Sequence, residues 1–249
     1  MSRENLDNHS YCTLKWRRGQ LLVRLPEQNQ PYLPSLECSE SLVKCLKHSP
    51  ASLVRIDPKL GEAKLRLWAD ACLKAGKPMF VSIPRAQKQP FGRIPFKWLK
   101  FVIEWLAACI FLVVVSPVML GLMAMMVVYS KGALFEREWH VGERGKLFQV
   151  IKLRTTDVTI ETSLLERESE ENVTPIGSWM RKYGLDNLPQ LLNVLRGEMH
   201  LTGRRSWKLE DAIFLNAEGQ KRLNKAPGLA SSWQIETEAS LLHLDSQIL

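Results

Sequence analysis

The sequence predicts a mixed α/β protein with one membrane-embedded helix in its middle. The first observation is an apolar stretch from Trp105 to Val128, about 24 residues without a charged side chain. The second is an alternation of Leu-, Val- and Ile-rich runs with helical patterns before that stretch. The third is a series of glycine-separated β-like runs and a leucine-rich helix after it. Together they predict an N-terminal α/β module, a membrane helix and a second mixed domain.

Residues 1–84 are predicted to form a small α/β module. A first helix begins at Ser39, and a second is capped by Asp57, has Pro58 at its first position and ends at Gly76. This order implies a parallel sheet with right-handed crossovers. The module shows no Gly-rich phosphate loop and no pair of acids near a base, so we expect a regulatory or partner-binding role, with the partner unknown, or a simple spacer. The predicted strands are Leu21–Leu25, Ser52–Ile56 and Met79–Ile83.

Residues 85–100 form a basic linker with aromatic side chains among its charges, which is typical of a membrane-surface segment. The net charge of +8 suits contact with anionic lipid or phosphorylated substrates. Nucleic-acid binding is not expected, because no groove of interleaved aromatic and basic residues can be recognised. The five cysteines lack Cys-x-x-Cys spacing, which favours reduced cytoplasmic thiols over a disulfide framework or a zinc site.

The apolar segment, placed at residues 101–130, is too long for an ordinary core helix, which stops at about 10–14 apolar residues. Pro117 lacks a backbone N–H, so the helix should kink near Ser116, whose hydroxyl can satisfy a freed carbonyl. Both flanks are basic, and cationic flanks prefer the cytoplasmic side, which favours a helix that enters, bends and returns. A proline-kinked spanning helix agrees with these residues equally well.

Residues 131–249 are predicted to form a compact domain at the membrane surface. Lys152 and Arg154 project from one face of an extended segment, where two cations can hold a diphosphate or simply face solvent. The segment from Thr159 to Asn172 is acidic and is predicted to be a surface loop.

The sharpest local pattern is a helix that ends at Gly197 and has Asp186 at its start. Backbone N–H groups and the helix dipole favour an anion there. Asp186 is therefore either an N-cap or a carboxylate nucleophile toward phosphorus. The apolar face consists of Leu188, Leu191, Leu192 and Leu195.

From about Lys97 to Gln234 the chain resembles the bacterial sugar transferase family, the monotopic phosphoglycosyl transferases. The resemblance rests on an ordered set of motifs: Ser116-Pro117, Ser130-x-Gly132, Val141-Gly142-x-x-Gly145, Lys152-x-Arg154, Arg181-Lys182, Leu185-Asp186-x-Leu188-Pro189-Gln190, Asn193-Val194-Leu195-x-Gly197, Pro227-Gly228 and Trp233-Gln234.

The resemblance implies an α+β transferase domain behind a re-entrant helix broken at Ser116-Pro117, on the cytoplasmic face of the inner (plasma) membrane. It implies transfer of a sugar 1-phosphate from a UDP-sugar to polyprenyl (undecaprenyl) phosphate, which initiates exopolysaccharide or envelope polysaccharide synthesis. It also implies a covalent phosphosugar intermediate and a magnesium ion. The residues it assigns are Asp186 and Asn187 as catalytic, Lys152, Arg154, Arg181, Gln190 and Arg205 as phosphate- or substrate-binding, and Asp186 and Glu198 as Mg²⁺ ligands.

The chain departs from the family pattern at several positions. Asn187 replaces the family's glutamate, His140 replaces an arginine, and the loop from Gly203 to Ser206 lacks both family prolines. Asn187 is a poorer ligand for a hard cation than a carboxylate. A second hypothesis follows, in which a catalytically impaired member acts as a regulator or scaffold of polysaccharide biosynthesis. The N-terminal module and these departures would suit a cyanobacterial paralogue tied to heterocyst envelope polysaccharide.

Overall fold

The computed structural model describes residues 12–25, 38–84, 94–129, 132–156, 173–215 and 217–230. The predicted acidic loop from Thr159 to Asn172 and the Trp233-Gln234 motif lie outside these residues. The strands are β1 Thr13–Arg17, β2 Gln20–Arg24, β3 Leu53–Ile56, β4 Met79–Val81, β5 Phe135–Val141, β6 Leu147–Leu153 and β7 Trp207–Lys208. The α-helices are α1 Ser39–His48, α2 Glu62–Lys74, α3 Ile94–Tyr129, α4 Pro175–Lys182, α5 Leu191–Leu195, α6 Leu209–Phe214 and α7 Ala217–Arg222.

The chain divides into two compact units. One gathers Met1–Gln87 with Trp139–Phe148 and Trp207–Lys225, and we call it the N-terminal unit. The other gathers Lys88–Glu138, Gln149–Ser206 and Ala226–Leu249, and we call it the membrane-helix unit. A four-stranded sheet runs in the order β1-β2-β3-β4, and a second sheet of three strands runs β6-β5-β7.

The predicted parallel sheet is confirmed, because β2 pairs with β3 and β3 with β4 in parallel. A further strand, β1, pairs antiparallel with β2 through a two-residue turn at Arg18 and Gly19. Both turn residues have positive φ, as in the hairpin turns that match strand twist. Strand β1 was not predicted from the sequence, because its five residues include only two apolar side chains, Leu14 and Trp16.

The first predicted helix, α1, begins at Ser39 as expected. The second differs from the prediction: Asp57 caps a 3₁₀ helix over Pro58–Leu60 by accepting from the Lys59 N–H at 3.0 Å. Gly61 then turns the chain at φ 85° before α2 begins. Both helices bury apolar side chains against the sheet in a core that also includes residues from later in the chain, namely Val141, Leu147, Leu209, Ala212 and Leu223.

Helix α3 is one continuous α-helix from Ile94 to Tyr129 with Pro117 inside it. The segment Trp98–Val128 is long and apolar enough to cross a membrane, and only 17% of its most apolar window is buried. The Ser116 hydroxyl donates to the Val113 carbonyl at 2.8 Å. That carbonyl lies four residues before Pro117, where the missing N–H leaves it without its helical partner. The predicted role of Ser116 is therefore confirmed.

Helix α3 contacts the rest of the membrane-helix unit near both of its ends. In its first part, Trp105 donates its ring N–H to the Leu195 carbonyl at 3.3 Å, and Glu104 accepts from His200 at 2.6 Å. In its last part, Leu122 and Met126 are buried in a cluster with apolar residues of β6, α4 and the following 3₁₀ helix. Between these contacts, the helix exposes a band of aliphatic side chains that includes Val113, Val114 and Val118.

Candidate active site

Asp186 lies in a 3₁₀ helix, Leu185–Gln190, that leads directly into α5. Gly184 precedes it in the left-handed conformation at φ 65°. The predicted helix is thus a 3₁₀ segment followed by a short α-helix, although Gly197 ends it as expected, with φ 71°. Burial of Leu188 against apolar side chains of α3, α4 and β6 anchors the segment. Asp186 is 9% exposed, so most of the residue is shielded from solvent by the surrounding chain.

Asn187 connects Asp186 to Gln190 through side-chain hydrogen bonds. Its Nδ2 donates to Asp186 Oδ1 at 3.2 Å, and its Oδ1 accepts from Gln190 Nε2 in a short contact. Asn187 and Gln190 are both almost fully buried. The amide at position 187 therefore stabilises the carboxylate of Asp186 by donation, which an acidic side chain in the same place cannot do unless it is protonated.

Asn193 joins α5 to the neighbouring strand β6. Its Nδ2 donates to the Gln149 carbonyl at 2.6 Å and to Glu198 Oε2 at 2.7 Å, and its Oδ1 accepts from the Ile151 N–H at 3.2 Å. Gly197 allows the chain to turn so that the Glu198 N–H reaches the Asn193 carbonyl, as in a Schellman C-cap. Glu198 is therefore placed beside Asn193, where it serves the attachment of α5 to β6.

The two predicted diphosphate-binding cations lie at the end of β6. Lys152 forms an ion pair with Glu138, with 2.9 Å between Nζ and Oε2, and both side chains are largely buried. The Arg154 N–H donates to the Leu134 carbonyl at 3.0 Å, and the end of its flexible side chain lies beside Gly132. Gly132 has φ 140°, a backbone conformation that L side chains rarely adopt, which favours glycine at this position of the Ser130-x-Gly132 motif.

Arg181, near the end of α4, donates from Nε to the Thr155 hydroxyl at 2.7 Å. Thr155 is itself held at the start of α4, because its carbonyl accepts from the Thr174 N–H at 3.1 Å. Thr174 caps α4 by accepting from the Gly177 N–H at 2.9 Å. Gly177 packs so closely on the Thr155 carbonyl that a Cβ could not fit. The strand end after β6 and helix α4 are therefore locked together around Arg181.

Arg205 is exposed in a loop, Gly203 to Ser206, that contains no proline. The loop is held instead by backbone pairing: the His200 N–H donates to the Pro227 carbonyl at 2.8 Å, and the Gly228 N–H to the Arg204 carbonyl at 2.7 Å. Gly203 and Gly228 approach so closely that neither position has room for a side chain. The Pro227-Gly228 motif thus supports the loop that carries Arg205.

A magnesium site is poorly matched by the residues around Asp186. In the part of the chain that the structure describes, no group of three or more His, Cys, Asp or Glu side chains is close enough to hold a metal. The amide oxygen of Asn187 is engaged by Gln190, and the carboxylate of Glu198 by Asn193. Magnesium prefers several oxygen ligands in near-octahedral geometry. The magnesium site therefore stays a prediction.

The structure also identifies positioning residues that the sequence analysis did not assign. Thr155 orients Arg181, Glu138 pairs with Lys152, and Asn193 attaches α5 to β6. Of these three residues, only Asn193 could have been recognised from the sequence as a candidate positioning residue, because it is an amide within an otherwise apolar helical stretch. The partners of Thr155 and Glu138 are separated from them in the chain, so no local pattern points to them.

The family assignment follows from sequence comparison. A profile of the bacterial sugar transferase family matches residues 96–248. The chain therefore belongs to this family, and the match begins within α3 and includes every residue of the candidate site.

Three relatives indicate what this chain is similar to. It is 29% identical over 182 residues to the exopolysaccharide production protein ExoY of Rhizobium meliloti, covering 66% of this chain and 79% of the relative. It is 30% identical to the UDP-glucose:undecaprenyl-phosphate glucose-1-phosphate transferase of Caulobacter vibrioides, covering 59% of this chain and 57% of the relative. It is also 30% identical to a putative undecaprenyl-phosphate N-acetylgalactosaminyl 1-phosphate transferase of Bacillus subtilis, covering 52% of this chain and 70% of the relative.

Proposed function

We propose that the protein transfers a sugar 1-phosphate from a UDP-sugar to polyprenyl phosphate, with Asp186 as the nucleophile, and so initiates synthesis of an exopolysaccharide or envelope polysaccharide. The observation that carries the proposal is the Asp186 carboxylate, buried at a helix start and held by a donated amide hydrogen bond within the family-matching segment. Relatives named for undecaprenyl-phosphate sugar-phosphate transfer support the same reaction.

The proposed reaction has two displacements at one phosphorus atom. An Asp186 oxygen attacks the phosphorus that carries the sugar, the phosphoanhydride bond breaks, and UMP leaves with the bonding electron pair. An oxygen of the polyprenyl phosphate then attacks the same phosphorus, and the carboxylate leaves unchanged. The hydrogen bond from Asn187 holds the carboxylate in a fixed orientation, which lowers the entropic cost of reaching the geometry for in-line attack.

Cationic side chains of this chain neutralise the charge that develops in each step. Arg181 has N–H donors besides the Nε that is bound to Thr155, and a guanidinium can hold two phosphate oxygens. Lys152 is oriented by Glu138, and Arg154 lies two residues further along the same strand end. Arg205 is available in its exposed loop. Preorganised cations of this kind are a major source of rate enhancement in phosphoryl transfer.

We propose that α3 enters the cytoplasmic leaflet and returns, so that the site stays on the cytoplasmic face. Both ends of the apolar segment contact the same membrane-helix unit, through Trp105 in one case and Leu122 and Met126 in the other. A straight crossing would separate these positions by about 30 Å along the membrane normal. The exposed aliphatic band around Ser116 and Pro117 would then meet the lipid tails.

The alternative is a catalytically impaired member that acts as a regulator or scaffold. It is favoured by Asn187, because an amide is a poorer ligand for a hard cation than a carboxylate. The Asn187 Oδ1 also already accepts a hydrogen bond from Gln190, while its Nδ2 donates to Asp186. In this case the transferase domain would bind its ligands without turning them over.

A radiolabel transfer assay separates the two functions. Purified full-length protein in nanodiscs receives polyprenyl phosphate and a panel of labelled UDP-sugars, with magnesium or with a chelator. We expect wild type to form labelled lipid, Asp186→Asn to lose at least about a thousandfold in rate, and the matched exposed control Asp211→Asn to stay active. A silent wild type with an Asn187→Glu variant that gains activity would refute the active-enzyme proposal and support the impaired member.

A further inference from the structure

A cavity of about 520 Å³ lies on one face of the four-stranded sheet in the N-terminal unit. Leu21 and Val23 of β2 point into the core that α1 and α2 cover, so strand alternation places Leu22, Arg24 and their neighbours on the opposite face. The cavity lies outside residues 96–248, which match the family, and is independent of the proposed transfer reaction. It is lined by Arg17, Arg18, Gln20, Leu22, Arg24, Arg55, Ser82 and Ile83.

Four arginines from three neighbouring parts of the sheet share this cavity. Arg17 ends β1, and Arg18 occupies the hairpin turn with φ 49°. Arg24 ends β2, and Arg55 lies on β3 directly beside Leu22 in the parallel register. The hairpin and the parallel pairing therefore bring together guanidinium groups that are up to 38 positions apart in the chain.

The positive charge of the cavity is not paired with any carboxylate of the described part of the chain. Among the residues that the structure describes, no carboxylate forms an ion pair with any of the four arginines, and Asp57, the next acid along from β3, accepts from a backbone N–H. The Nε of Arg55 is buried and has no hydrogen-bond partner within the described chain. Burying an unpaired donor on a charged group is unfavourable, and like charges repel, so an anion in the cavity would relieve both costs.

We propose that this cavity binds a phosphorylated small molecule of about nucleotide size. Guanidinium groups bind phosphate oxygens in a bidentate geometry, and four of them suit a ligand with at least two phosphoryl groups. Leu22 and Ile83 supply an apolar wall, and Gln20 and Ser82 supply neutral hydrogen-bonding groups. The volume falls within the range of about 300–1,000 Å³ that is usual for small-molecule pockets. A phosphorylated lipid headgroup presents the same chemistry and is the second source to test.

The test uses the full-length protein in nanodiscs of zwitterionic lipid, titrated with inorganic pyrophosphate and with ADP. Hydrogen exchange followed by mass spectrometry locates the binding, and it requires no enzymatic activity. We expect protection of β1, β2 and β3, and a loss of affinity of at least about tenfold in Arg24→Gln and in Arg55→Gln. Lys44→Gln removes one charge from an exposed position of α1 in the same unit and should change the affinity by less than about twofold.

The outcomes distinguish the ligand sources and can overturn the proposal. Protection by pyrophosphate or ADP supports a soluble phosphorylated ligand. Protection that appears only in nanodiscs containing phosphatidic acid, and that the two arginine variants abolish, supports a lipid headgroup. The proposal fails if neither condition protects these strands, if Lys44→Gln weakens binding as much as Arg24→Gln, or if protection is confined to residues 173–206. Because Arg24 is exposed at the end of its strand, its variant should fold normally and keeps the test valid if Arg55→Gln does not fold.

Discussion

Replacing Asn193 with alanine should destabilise the membrane-helix unit, because one buried side chain makes three hydrogen bonds there. Asn193 is fully buried and connects α5 to the Gln149 carbonyl, the Ile151 N–H and the Glu198 carboxylate. Truncation leaves a buried backbone N–H unpaired, which costs about 1–3 kcal/mol, and it also removes a donor from a carboxylate. We expect a total loss of about 3 kcal/mol, or about 6–12 °C in melting temperature for the 249-residue chain.

Thermal unfolding followed by tryptophan fluorescence in detergent measures this loss. Asn224→Ala is a matched control, because the Asn224 amide bonds two carbonyls at an exposed position, and its melting temperature should fall by about 2 °C or less. Asn193→Asp keeps an acceptor for the Ile151 N–H but places a second carboxylate against Glu198, so it should be at least as unstable as the alanine variant. A shift of less than 2 °C in Asn193→Ala would show that α5 is held to β6 by apolar packing alone.

Two further predictions concern a close backbone contact and the cysteines. Gly177→Ala should lower the melting temperature by several degrees and weaken substrate-phosphate binding, because the new Cβ would displace the Thr155 carbonyl. Differential scanning fluorimetry measures the melting temperature, and an unchanged value would show that α4 can shift to accept the Cβ without loss of stability. Burial raises the pKa of the Cys72 thiol to about 12, so maleimide should not label it in the folded protein between pH 7 and pH 9. The backbone N–H of Ser41 lowers the pKa of the exposed Cys38 thiol, so its labelling should be fast and should persist at lower pH than for an ordinary thiol. Mass spectrometry of the labelled peptides gives the order of labelling, and labelling of Cys72 before Cys38 would contradict both expectations.

Local signals were sufficient wherever a structural decision depends on residues a few positions apart. The start of α1 at Ser39, the end of α5 at Gly197 and the Ser116 hydrogen bond near Pro117 were all predicted from caps, turns and missing donors. The parallel pairing of β2, β3 and β4 also followed, because alternating strands and helices allow few other topologies. The leucine spacing and Gly197 likewise predicted that Asp186 lies at the start of a helical segment, and the structure has it in the first turn of the 3₁₀ helix.

Long-range partners were beyond the sequence. The hydroxyl that Arg181 bonds belongs to Thr155, 26 positions earlier. Lys152 was predicted to hold a diphosphate or to face solvent, with no protein partner, whereas in the structure it forms an ion pair with Glu138. Hairpin β1-β2 was missed because its stability comes from cross-strand pairing and not from the apolar content of β1 alone.

By itself, the sequence determined the long apolar helix α3, the α/β order of the N-terminal part and the family to which residues 96–248 belong, since each rests on a periodic or contiguous pattern. Only the tertiary structure decided what surrounds the chemically important side chains. It placed Asn187 as a hydrogen-bond donor to Asp186, committed Glu198 to Asn193, and gathered four arginines into one cavity. The physical reason is that charge neutralisation and hydrogen-bond pairing depend on distances in space, and folding sets those distances by packing segments that are remote in the chain.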